Sequence, residues 1–258
     1  MSARKRRLSS EAARSRLILA LDVGGDVEGA LSWVGRLKGR VGMFKVGKEA
    51  FTSFGPEIVR GVQERGGKVF LDLKFHDIPN TVAAAAEAAT RLGVAMFNLH
   101  ALGGRKMMEE AVRAAKAVSE RMGSPMPVVL AVTVLTSLNN RDMEELGFHE
   151  TSPQRLVVRL ARLAKEAGVS GVVASAQEAE IIRAACGGDF VIVTPGIRTN
   201  GSTQRDDQKR VVTPEEAVRR GADYLVVGRP IIKAPDPVAA ADGILEAMAA
   251  GLAGRGEK

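Results

Sequence analysis

The chain is poor in several residue types, and each shortage excludes something. It has one cysteine, Cys186, so no intrachain disulfide framework can form, and a reducing, cytoplasmic setting is expected. No apolar run approaches the roughly 18 residues that a membrane-spanning helix needs, so a membrane is not an expected partner. The opening MSARKRRLSSEAARS has no apolar centre and does not read as a secretory signal. Aromatics make up only 4% of the chain. That leaves few surfaces on which nucleic-acid bases could stack, so nucleic acid is not an expected partner either. No GxGxxG follows the first strand-like run, which removes the phosphate-binding fingerprint of an open dinucleotide-binding sheet.

The formal net charge is +7, from 37 Lys and Arg against 30 Asp and Glu. Four of the positives, Arg4, Lys5, Arg6 and Arg7, stand close together with no acid among them, leaving +3 for the rest. Residues 1–15 are therefore expected to be a disordered, solvated basic tail. Residues 251–258 are expected to be a flexible C-terminal tail, and 16–250 a single domain without an internal linker.

What the chain does have is a repeating alternation. Runs rich in Val, Leu and Ile recur at LILALDV (17–23), MFKVG (43–47), KVFLDLK (68–74), AMFNLHA (95–101), VVLAVTV (128–134), GVVAS (171–175), FVIVTPG (190–196) and DYLVVG (223–228). Nearly continuous apolar character marks strands covered on both faces, as in parallel sheets. Helix signals lie between them. Val27, Ala30, Leu31, Val34 and Leu37 form a stripe at 3.6 spacing. Leu156, Val157, Leu160 and Leu163 form another, and Thr213-Pro-Glu-Glu216 has the form of a capping box. Eight strands alternating with helices predict an α/β chain folded as a single-domain (β/α)8 TIM barrel.

In such a barrel the active site lies at the C-terminal strand ends, and polar residues collect there. Asp22 ends the first strand, Lys45 lies on the second, and Asp72 and Lys74 end the third within FLDLKFHDIPNT (70–81). Asp72 and Lys74, two apart, are expected on one face with Leu71 and Leu73 on the other. Lys45 can reach them from the neighbouring strand, so that acids and ammonium groups compensate one another. The loops after the seventh and eighth strands are the usual phosphate corner of a barrel. Here they read PGIRTNGSTQRDDQ (195–208) and GRP (228–230). Gly228 would admit an oxyanion close to the backbone and Arg229 would offer a bidentate fork. The polar stretch holding Gly201 and Ser202 reads as a lid.

Taken together, these segments resemble the orotidine 5′-phosphate decarboxylase family. Its D-x-K-x-x-D hallmark is matched by Asp72, Lys74 and Asp77. LALD (19–22), FKVG (44–47), AVTVLTS (131–137), TPGIR (194–198), DDQ (206–208) and VVGRPI (226–231) follow in the family's order. The resemblance spans about residues 16 to 245. It implies a cofactor-free and metal-free carboxy-lyase acting on orotidine 5′-monophosphate, with Lys45, Asp72, Lys74 and Asp77 as the catalytic charges. It also implies a homodimer in which Asp77, Ile78 and Thr81 reach the neighbouring subunit's site. Asp22 would hold a ribose hydroxyl, and Thr136 would contact the pyrimidine. Pro195, Arg198, Gln208, Gly228 and Arg229 would bind substrate around its phosphate.

Two rival functions remain. One is a Mg²⁺-dependent sugar-phosphate decarboxylase or aldolase on the same barrel, whose members carry an acid where this chain has Lys45. The other is a non-catalytic nucleotide-binding barrel, which would not need both Asp72 and Lys74. Of the histidines, His76 reads as packing, His100 as a residue that orients the lysines, and His149 as surface. Cys186, Trp33 and Tyr224 also read as packing.

Overall fold

A computed structural model of the chain describes residues 3–148, 152–198 and 212–255. Eight parallel strands close into one barrel in sequence order, β1 Leu17–Ala20, β2 Met43–Gly47, β3 Val69–Phe75, β4 Met96–His100, β5 Val128–Val132, β6 Gly171–Val173, β7 Val191–Thr194 and β8 Tyr224–Val227. Each lies within a strand-like run of the sequence except β3, which extends one residue further, to Phe75. The expected TIM barrel is the fold.

The helices are α1 Ala3–Arg16, α2 Val27–Arg36, α3 Lys48–Phe54, α4 Glu57–Glu64, α5 Pro79–Arg91 and α6 Gly104–Met122. They continue with α7 Asn140–Glu145, α8 Pro153–Glu166, α9 Ala179–Cys186, α10 Pro214–Arg219, α11 Arg229–Ile232 and α12 Pro237–Arg255. The stripe on α2 buries Ala30, Leu31 and Val34. Pro214 opens α10, and the Thr213 side chain accepts the Glu216 N–H, the forward half of the expected capping box.

Strand alternation divides the apolar side chains into two layers. Leu17, Leu19, Phe44, Val69, Leu71, Phe97, Leu99, Val129 and Ile192 pack outward against the helices. Ile18, Met43, Phe70, Met96, Leu130, Val193 and Val226 fill the lumen. The lumen is thus plugged by apolar side chains below its mouth, and polar residues of the same parity stand above the plug.

Helix runs into both segments that the sequence reads as tails. The first 15 residues include most of α1, whose Ala13 is fully buried, and α1 packs on α12. At the other end α12 continues through Arg255, burying Gly251 and donating from Arg255 to the Ala222 carbonyl at 3.1 Å.

Candidate active site

The strand ends open into a cavity of about 850 Å³. Asp22, Lys45, Asp72, Lys74, Thr136, Pro195, Arg198, Gly228 and Arg229 all line it, so nine of the thirteen residues named from the sequence come together. Lys48, Glu49 and Lys233, which sequence reasoning passed over, line it as well.

The charges form a chain. Lys45 Nζ lies 3.0 Å from Asp22 Oδ2 and 3.3 Å from Asp72 Oδ2, and Lys74 Nζ donates to Asp72 Oδ1 at 2.6 Å. The Asp72 side chain is 14% exposed and that of Lys45 10%, whereas Asp22 at 42% is half in solvent. Burial alone would push the Asp72 carboxyl up, but Lys45, Lys74 and the Asn98 amide bring it below its ordinary value. Asp72 is therefore a carboxylate at neutral pH, and it holds both ammonium groups at the cavity floor. Gly47 makes the Lys45–Asp22 approach possible, since a Cβ there would sit 2.7 Å from Asp22 Oδ1 and 2.7 Å from Lys45 Nζ.

Asp72 and Lys74 do share a face, but β3 is not a regular strand at that point. Leu71 pairs with Phe97 and Phe75 with Leu99, so Asp72, Leu73 and Lys74 bulge opposite Asn98 alone. Lys74 has a φ of 54°, the one positive value among the described non-glycine residues. A residue with a Cβ in that left-handed region costs roughly 1–2 kcal/mol, and such strain persists where the surroundings over-determine it. The over-determining group is Asn98, fully buried. Its Oδ1 accepts the Lys74 backbone N–H at 2.7 Å and its Nδ2 donates to Asp72 Oδ1 at 2.7 Å. Only one amide orientation satisfies both, because the N–H needs an acceptor and the carboxylate a donor. Sequence reasoning missed Asn98, although a polar residue at lumen parity between Met96 and His100 is a legible signal.

The second half of the cavity is cationic. Gly196, at φ 78°, turns the chain after Pro195, and the Arg198 N–H donates to the Val212 carbonyl at 3.2 Å, pinning that end of the loop. Arg229 follows Gly228 at the start of α11. Gln208, Gly201, Ser202 and the DDQ segment lie outside the described residues, as does His149.

Asp77, Ile78 and Thr81 are not among the residues that line this cavity. All three are exposed, Ile78 by 67%, and Asp77 Oδ1 accepts the Ile78 N–H at 2.6 Å. His100 stacks on His76, ring centroids 5.3 Å apart, and its Nδ1 accepts the Leu102 N–H at 3.4 Å. The contact to Lys74 that the sequence suggested for His100 is made by Asn98 instead. Desolvation, with the neighbouring charges of His76, Lys74 and Lys48, pushes His100 down to about 4, so its ring is neutral at physiological pH.

A (β/α)8 barrel with a buried lysine–aspartate chain at one side of its mouth and arginines at the other defines an enzyme for a small phosphorylated anion. The sequence matches the Orotidine 5'-phosphate decarboxylase / HUMPS family over residues 15–244, and the chain belongs to that family. It is 62% identical to the Orotidine 5'-phosphate decarboxylase of Syntrophus aciditrophicus, covering 96% of this chain and 98% of the other. The protein of the same name from Pelobacter propionicus is 54% identical, over 95% of this chain and 99% of its own. Among solved structures, Orotidine 5'-phosphate decarboxylase from Lactobacillus acidophilus superposes with a TM-score of 0.79 at 35% identity, covering 90% of this chain and 98% of that one.

Proposed function

We propose that this chain converts orotidine 5′-monophosphate to UMP and CO₂ in pyrimidine biosynthesis, without a metal or organic cofactor. The observation that carries the reading is the 2.6 Å Lys74–Asp72 contact at the floor of a cavity that Arg198 and Arg229 also line. The substrate's phosphate would lie at the arginines and its pyrimidine ring at the lysines. Breaking the bond from C6 to the carboxylate releases CO₂ and leaves an electron pair in an in-plane orbital that cannot delocalise into the ring. A fixed ammonium beside that atom stabilises the pair electrostatically. Lys74 then gives C6 a proton, which completes UMP. Asp72, lying near the departing carboxylate, is the counter-charge that keeps Lys74 and Lys45 in place. Asp22 would accept a hydrogen bond from a ribose hydroxyl.

The family also includes sugar-phosphate enzymes, and Lys45 speaks against that chemistry here. An ammonium stands where those enzymes carry an acid for a divalent cation, and two ammonium groups would repel one. A second copy of the chain completes the reading. Asp77, Ile78 and Thr81 are exposed beside the mouth, where a partner's cavity could receive them. A cytoplasmic location accompanies it, in keeping with the buried, unpaired Cys186.

The test is product analysis. Purified protein given orotidine 5′-monophosphate should yield UMP and CO₂ in equal amounts, and none of the expected product from 3-keto-gulonate 6-phosphate with Mg²⁺. The reverse pattern would assign it to the sugar-phosphate branch.

A further inference from the structure

We propose that Asn98 is a positioning residue for the reaction: its amide locks the β3 bulge so that the Lys74 ammonium is aimed into the cavity. The inference rests on the role given to Lys74 above.

Asn98 stands on β4 between Phe97 and Leu99 and has no exposed surface. An amide in such a place is costly unless both its halves are satisfied, and here each half bonds one end of the bulge. Oδ1 takes the Lys74 N–H, which points to β4 where the regular ladder is interrupted. Nδ2 shares Asp72 Oδ1 with Lys74 Nζ. That leaves Asp72 Oδ2 for Lys45. One buried side chain thus fixes the Lys74 backbone, the Asp72 rotamer and, through them, both ammonium groups. Without it, Lys74 is free to leave its left-handed conformation and Asp72 to rotate about χ2. An apolar residue of similar size would fill the space equally well but would do neither.

The role predicts a particular kinetic signature. Misplacing a catalytic group by about 1 Å can cost on the order of 100-fold in rate. Phosphate binding, at the far side of the cavity, should be untouched. Asn98→Ala and Asn98→Asp, each checked for folding by thermal melt, should therefore lose about 100-fold in kcat while KM for orotidine 5′-monophosphate stays within about threefold. Folded variants with kcat within about threefold of wild type, or with raised KM and unchanged kcat, would overturn the inference. If neither variant folds, amide hydrogen exchange in the wild type decides: a slowly exchanging Lys74 N–H supports the lock, and free exchange contradicts it. Wild type and Lys74→Ala run alongside keep the two readings apart. An inactive wild type would sink the decarboxylase reading, whereas an active wild type with fully active Asn98 variants would sink only the positioning role.

Discussion

Asp72 shows how much a single residue can organise. Its two oxygens engage Lys45, Lys74 and Asn98, so its charge is compensated on every side and its burial is tolerable. Gly47 permits the adjoining Lys45–Asp22 pair by having no side chain. Gly47→Ala should therefore separate Lys45 from Asp22 and lower kcat/KM by about 10- to 100-fold, with a small change in melting temperature. Steady-state kinetics beside a thermal melt would check it, and unaltered kinetics would show that the pair is not needed. His100 gives a pH prediction. Its folded value of about 4 lies below the ordinary 6.5, so between those values the unfolded chain binds the proton that the native chain refuses. Its contribution is present in full above pH 6.5 and is lost as pH falls toward 4. Melting temperatures over that window should fall less steeply for His100→Gln than for wild type.

At the scale of elements, the strands were legible and their irregularities were not. All eight runs contain or largely contain the observed strand, because parallel strands buried on both faces are apolar almost throughout. Alternation placed Lys45, Asp72 and Lys74 on one face correctly. It could not reveal that Lys74 arrives there through a bulge, since the register of β3 on β4 depends on a partner more than 20 residues away. Asn98 was hidden for the same reason, its meaning residing in what lies opposite. The opposite end of the barrel carries a clamp of its own. Arg183 of α9 donates to the carbonyls of Gly187, Gly188, Phe190 and Gly221 and to Asp223 Oδ2 at 2.6 Å. It ties the approaches to β7 and β8 together beneath the strands. Arg183→Ala should destabilise the fold by roughly 1–3 kcal/mol, because it leaves several carbonyls without their donor, while Asp223 keeps Arg255 at 3.6 Å and the Ile192 N–H at 2.9 Å. Denaturant unfolding would measure that loss, while kcat of the folded fraction should stay at the wild-type level.

For the whole molecule, the barrel divides labour between its two rims. The N-terminal rim is stapled by Arg183, and the C-terminal rim holds strain and charge around a cavity of about 850 Å³. The exposed Asp77–Thr81 segment beside that cavity is the proposed route by which one copy serves another. Asp77→Ala and Lys74→Ala should each be nearly inactive alone. Mixed after dissociation and reassociation, they should regain activity, because one of the two sites in a hybrid pair then carries neither lesion. No recovery from well-folded mixtures, together with a monomeric mass by light scattering, would confine each site to a single chain.

In the proposed reaction a fixed ammonium, Lys74, carries out the decarboxylation with no cofactor. The most direct measurement follows the absorbance of orotidine 5′-monophosphate in EDTA with purified wild type and with Lys74→Ala. Substrate absorbance should fall rapidly with wild type and at a rate at least about 10³-fold lower for the variant, at or beyond the range for removing one preorganised donor. Folded wild type that is inert in EDTA and recovers with Mg²⁺, or a Lys74→Ala variant with near-normal turnover, would contradict the proposed reaction.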